Sequence, residues 1–126
     1  MAQIPPSLQD LVNRFNQAQA QLQNVLLRKQ QYEAELKEVE KAISEIERLP
    51  QDAKIFKNVG NFLVPQSRDV ALQELRDRKE LLELHVKTLT RQESMLREQL
   101  DKLREEINKE LAKLKGGATE AAKGGG

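Results

Sequence analysis

The chain has 126 residues, of which 33% are charged, 38% hydrophobic and 3% aromatic, so it has the length of one domain but little material for a globular core. With no cysteine and a single histidine, His85, it has no disulfide framework, cysteine-ligated metal centre or thiol nucleophile, and histidine-based catalysis lacks a second imidazole. Lysine and arginine number 21 against 20 aspartate and glutamate, and the two signs are interspersed, so the charge balance offers no reason to expect a nucleic-acid partner.

No segment at the N-terminus joins a basic stretch to an apolar h-region, and no apolar run approaches the roughly 18 to 20 residues that cross a bilayer. We therefore expect a soluble, cytoplasmic chain without a membrane partner. From Leu8 onward apolar residues recur at spacings of three and four: Leu8, Leu11, Phe15, Ala18, Leu22, Val25, then Tyr32, Leu36, Val39, Ile43 and Ile46. This is a heptad pattern, with a positions from Leu8 and d positions from Leu11, and Lys29 fills the polar slot; it predicts a coiled-coil helix. Ser7 with Asp10 reads as a capping box, and Pro50 turns Leu49 out of helical geometry, so helix 1 is expected over residues 7–49 after a flexible N-terminal tip, 1–6.

The period is lost over residues 50–66. Lys54 to Val59 and Asn61 to Val64 are rich in β-branched and aromatic residues, Gly60-Asn61 is a turn signal between them, and Pro50 and Pro65 bracket the segment. One β-hairpin is expected. A lone two-stranded hairpin is marginal in water, and this one carries Ile55, Phe56, Val59, Phe62, Leu63 and Val64, so its apolar edges predict assembly with other chains.

A second heptad run covers residues 67–115, with a positions at Leu72, Lys79, Val86, Glu93, Leu100, Ile107 and Leu114 and d positions at Leu75, Leu82, Leu89, Leu96, Leu103 and Glu110. Ser67 or Asp69 suits its N-cap, and Gly116-Gly117 reads as its stop. The remaining stretch, 116–126, is Gly- and Ala-rich and expected to be disordered. The fold class is thus all-α with a small β element: an antiparallel two-helix coiled coil whose helices, nearly equal in length, are joined by a single β-hairpin. With Ile46 opposite Leu75, Leu8 and Leu11 fall beside Leu111 and Leu114, which brings Ile4, Leu8, Leu11, Val12 and Phe15 near Ile107, Leu111 and Leu114. Those residues outnumber what a two-helix seam buries, since Val12 and Leu111 lie outside a and d. They either broaden a fraying seam or bind something apolar. Leu26, Leu27, Leu81 and Leu84 also lie off the seam, where they either widen the helix interface or line a surface facing a ligand.

Catalytic constellations are missing. Glu105-Glu106 and Glu38-Glu40 belong to convex helix surfaces, His85 has no converging metal ligands, and neither Gly60-Asn61 nor Gly116-Gly117 is a phosphate cradle. No catalytic residue, metal or cofactor is assigned.

The run Ala53-Lys-Ile-Phe-Lys-Asn-Val-Gly-Asn-Phe-Leu-Val64 between two long helices, with Leu89-Thr-Arg-Gln-Glu93 in the second, resembles the prefoldin beta-subunit family, most closely its archaeal type. The resemblance covers roughly residues 4 to 115, and its most specific piece is Ile55-Phe56-Lys57-Asn58-Val59-Gly60. It implies a hetero-hexamer of two alpha and four beta subunits, with hairpins joined into β-barrels and coiled coils hanging as tentacles around a cavity. It also implies an ATP-independent holdase, a molecular chaperone that binds unfolded protein clients at the coiled-coil tips and passes them to a group II chaperonin for protein folding. The assembly hairpin would be Ile55, Phe56, Val59, Gly60, Phe62, Leu63 and Val64. Two other readings stand beside it: a structural coiled-coil module without client binding, and a coiled-coil arm that grips RNA, which would need a basic stripe.

Overall fold

The computed structural model describes residues 4–124, with the side chains of residues 4–116. In chain order the elements are α1 (Pro6–Glu47), β1 (Lys54–Val59), β2 (Phe62–Ser67) and α2 (Arg68–Gly124). Two long helices joined by one antiparallel hairpin are therefore observed as expected.

Several boundaries differ from those expected. α1 begins at Pro6, with the Gln9 amide donating to the Pro5 carbonyl at 3.0 Å. Proline suits the first helical position because the amide it lacks would have no helical partner there. Asp10 is consequently not a capping-box acid and pairs with Arg14 at 3.0 Å. At the other end of the chain, the helix stop expected at residue 115 is corrected to Gly124, making α2 57 residues against 42 for α1. A glycine inside a helix costs about 1 kcal/mol relative to alanine, which biases a helix against continuing without forbidding it, and Gly116 does not adopt positive φ. Residues 1–3, within the expected N-terminal tip, and 125–126, within the expected tail, lie outside the described residues.

The chain divides into two compact units, Met1–Leu26 with Arg91–Gly126, and Leu27–Thr90. In the first, Ala18 and Leu22 of α1 pack with Leu100 and Leu103 of α2, flanked by Leu11, Phe15, Leu26 and Leu96. In the second, Val39 and Ile43 pack with Leu72 and Leu82, flanked by Tyr32, Leu36, Ile46 and Leu75. Almost every member is an a or d residue, so these are the seams that heptad spacing demands. Leu82 is fully buried, and no polar side chain among the described residues is buried.

The second unit also contains the hairpin's foundation. Ser67 accepts a hydrogen bond from the Val70 amide at 3.2 Å, capping α2 as expected. Arg68 closes the end of α1: its Nε donates to the Leu49 carbonyl at 3.1 Å and the Ile46 carbonyl at 3.3 Å, and its Nη2 to the Glu47 carbonyl at 3.1 Å. The last carbonyls of a helix lack intrahelical donors and carry the negative end of its dipole, so one guanidinium supplies both hydrogen bonds and charge. Arg78 adds an inter-helix pair to Glu35, 2.6 Å from Nη2, and Arg76 pairs with Glu47 at 3.2 Å.

Candidate functional site

β1 and β2 pair antiparallel from Val59↔Phe62 at the turn to Lys54↔Ser67 at the base. Gly60 has φ of 60°, and no described non-glycine residue has positive φ, so Asn61 stays negative. Positive then negative φ is the pattern of a II′ turn, whose twist matches that of the strands. Side chains of cross-strand partners share a face. One face therefore carries Lys54, Phe56, Asn58, Leu63, Pro65 and Ser67; the other carries Ile55, Lys57, Val59, Phe62, Val64 and Gln66.

Both faces are apolar and exposed. Phe62 is 76% exposed and Leu63 67%, with Phe56, Val59 and Val64 between 43% and 56%. Only Ile55 and Gln66 are half-buried. Large apolar side chains exposed on both sides of a two-stranded sheet form a surface suited to contact with another molecule.

Polar contacts hold the second of these faces to α2. Lys57 Nζ lies 3.1 Å from Glu74 Oε2. Hydrogen bonds from Gln66 and then from Lys57 hold the Glu74 carboxyl below its ordinary value. The folded-state value is depressed, so this anchoring is fully present above the ordinary glutamate range and is lost as pH falls through the depressed value. An NMR titration is expected to place the Glu74 midpoint below that of glutamate in an unstructured peptide, with hairpin amides shifting at the same pH; a Glu74 midpoint at or above the peptide value would contradict the anchoring.

The second candidate surface lies in the first unit. Of the residues expected to bind there, the seam takes Leu8, which is 5% exposed, and Leu11 and Phe15 pack against the Ala18 cluster. Phe15 also lies under the Arg104 guanidinium, 5.8 Å from the ring centroid. Ile107 is half-buried. Ile4, Val12, Leu111 and Leu114 are left open to solvent, at 57%, 38%, 41% and 43%. Sequence spacing treated all these residues alike; the structure divides them into a packed and an open set.

Elsewhere Leu26 joins the seam, whereas Leu27, Leu81 and Leu84 are exposed. His85 stacks on Tyr32, with ring centroids 4.7 Å apart and planes 11° from parallel, which gives it a packing role. Glu38, Glu40, Glu105 and Glu106 are all exposed on helix surfaces. Among the described residues no three His, Asp or Glu side chains gather as a metal site, and no helix is long and apolar enough to cross a membrane. Arg68 was missed at the sequence level, because no local pattern marks a side chain that reaches back to the end of an earlier helix.

Paired helices that carry an exposed apolar hairpin, with their carboxylates spread over convex surfaces, define a coiled-coil assembly subunit. The family model described as prefoldin subunit matches residues 9–114, and the chain belongs to the prefoldin family. It is 86% identical over 125 residues to the prefoldin subunit beta of Pyrobaculum neutrophilum, covering 99% of each chain. To that of Pyrobaculum arsenaticum it is 87% identical over the full length of both. The crystal structure of the prefoldin beta subunit from Thermococcus strain KS-1 superposes with a TM-score of 0.81 at 40% identity, covering 88% of this chain and 97% of that one. Membership makes the chain a chaperone component rather than an enzyme, and one subunit of a hetero-oligomeric complex with alpha subunits.

Proposed function

We propose that the chain serves as a beta subunit of a cytoplasmic, ATP-independent holdase. Its hairpin joins it to two alpha and three further beta subunits, and the open ends of its helices hold unfolded polypeptides until a group II chaperonin receives them. The observation that carries this reading is the pairing of two separate apolar exposures. The hairpin exposes Phe56, Phe62 and Leu63, and the first unit exposes Ile4, Val12, Leu111 and Leu114. One exposure is suited to permanent assembly and the other to weak, repeated contact.

Each apolar contact contributes about 25 cal/mol per Å² removed from water. A client is thereby gripped at several points without a pocket that selects its sequence. Release then needs no nucleotide, since each grip is weak by itself. The assembled subunit, mixed with a candidate alpha chain and no nucleotide, is expected to suppress aggregation of a chemically unfolded test protein near stoichiometric ratio, with little dependence on salt. A particle that forms but leaves aggregation unchanged would favour the structural coiled-coil module. Binding to RNA that falls steeply with salt would favour the RNA arm.

A further inference from the structure

Leu82 of α2 is fully buried in the seam of the second unit. An α-helix turns about 100° per residue, so Leu84 is carried about 200° from Leu82 and Leu81 about 100° the other way. Neither joins the seam, and they are 58% and 44% exposed. Three residues apart, they stand side by side on the outer face of the helix. The other outer positions of this stretch are polar: Gln73, Glu74, Asp77 and Glu80 before them, Lys87 and Thr88 after. The two leucines are thus an apolar step in a hydrophilic face, within a shallow hollow lined by Asp77, Glu80, Glu83 and Lys87.

The charge around this step is one-sided, because the neighbouring cations are used elsewhere. Arg76 reaches Glu47 of α1 at 3.2 Å, and Arg78 reaches Glu35 at 2.6 Å. Lys79 makes a loose contact with Glu83 at 3.9 Å. Asp77 accepts a hydrogen bond from the neutral Gln73 amide at 2.9 Å, and among the described residues no cation pairs with Asp77 or Glu80. Three carboxylates and one ammonium therefore surround the leucines. Such a field repels an acidic occupant and favours one that brings its own cations to an apolar contact.

We infer that this outer face of α2, residues 77–87, docks a basic amphipathic helix of another protein. Apolar side chains spaced three or four apart on that helix cover Leu81 and Leu84, and a lysine or arginine one turn away meets Asp77 and Glu80. Two leucines supply the grip, and the carboxylates choose the partner and its direction. The site is separate from the open ends of the helices, and the inference does not depend on the holding function.

The probe is a labelled leucine–lysine peptide that forms an amphipathic helix, titrated into the full chain and into the particle it forms with alpha chain. Its counterpart has glutamate at every lysine. The basic peptide is expected to bind saturably, about tenfold or more tighter than the acidic one, with affinity falling as salt rises. Leu81→Ser with Leu84→Ser should weaken it about tenfold, and Asp77→Asn with Glu80→Gln about threefold or more while flattening the salt dependence. Equal binding of the two peptides, unchanged affinity in either double variant, or no saturable binding at millimolar peptide would overturn the proposal. A second measurement needs no variant: amide NMR shifts of the unmodified chain should move over residues 77–87 on titration, and shifts confined to other segments would overturn the assignment. Aggregation suppression by the leucine variant should match that of the unmodified particle. A parallel loss would make this face part of the client grip and end its reading as a separate docking site.

Discussion

With aspartate in place of Phe62 and Val64, the chain is expected to keep its helices and lose its assembly. Both residues lie on the hairpin face that also carries Val59, opposite Val59 and Lys57 in the strand register, and they are 76% and 43% exposed in the isolated subunit. Fully burying a side chain of this kind stabilises by about 1.5 to 3 kcal/mol. Aspartate removes that gain and adds a charge that a closed apolar interface would have to desolvate at a cost of several kcal/mol. The penalty is repeated in every copy that joins the particle, so an effect of this size leaves no assembly at micromolar concentration. The helical seams do not include either residue, and far-ultraviolet circular dichroism should change little. Mass in solution is the deciding measurement. A particle of unchanged mass would remove the hairpin from the assembly interface.

The second large effect is expected from Val12→Asp combined with Leu111→Asp. These residues occupy positions beside the heptad seam and are 38% and 41% exposed, so replacing them takes apolar surface from the open end and little from the packed core. If each contributes about 1 kcal/mol to holding an unfolded chain, the pair lowers capture on the order of tenfold to thirtyfold. Helical content and particle mass should be unchanged. Aggregation suppression by the assembled variant provides the check, and full suppression would place the gripping surface elsewhere. Truncating residues 1–11 is a poorer test than it looks from sequence. It would remove Leu8, which is 5% exposed, and Leu11, which packs against the Ala18 cluster. Lost capture would then report damaged packing as readily as lost binding.

The heptads explain why so much of the architecture is legible in one sequence. Buried residues such as Leu22, Val39, Leu82 and Leu103 all stand at a or d positions, because a helix pair buries a single narrow stripe and spacing alone identifies that stripe. Ala71 is buried outside the pattern; one methyl group is covered easily and contributes little periodic signal. The hairpin was legible for a different reason. Gly60-Asn61 between β-branched runs is local turn chemistry, and β1 has the expected bounds, whereas β2 runs three residues past Val64, through Pro65, which was expected to bracket the hairpin and instead stands inside the strand on its outer edge. Local chemistry stops at the junctions. The Arg68 clasp on the Ile46, Glu47 and Leu49 carbonyls and the Lys57 to Glu74 contact join residues distant in sequence, and no spacing rule anticipates them. The split of the candidate binding residues into buried Leu8 and exposed Val12 is likewise a matter of angle around the helix, finer than the count of apolar residues that suggested the site.

The Arg68 clasp also bears on the order in which this subunit acquires its structure. On the ribosome α1 is complete before any of α2 exists, so its final carbonyls and its whole apolar stripe wait for residues still to be made. The first residue of α2 to emerge is Arg68 itself, and the clasp joins chain ends separated only by the hairpin. Closing Ile46 on Leu75 loops out about 30 residues and closing Ala18 on Leu103 about 85, a difference in loop-closure entropy of about 1 kcal/mol. Zippering therefore starts beside the hairpin and travels toward the chain termini, so the hairpin is complete while the residues nearest the termini are still unpaired.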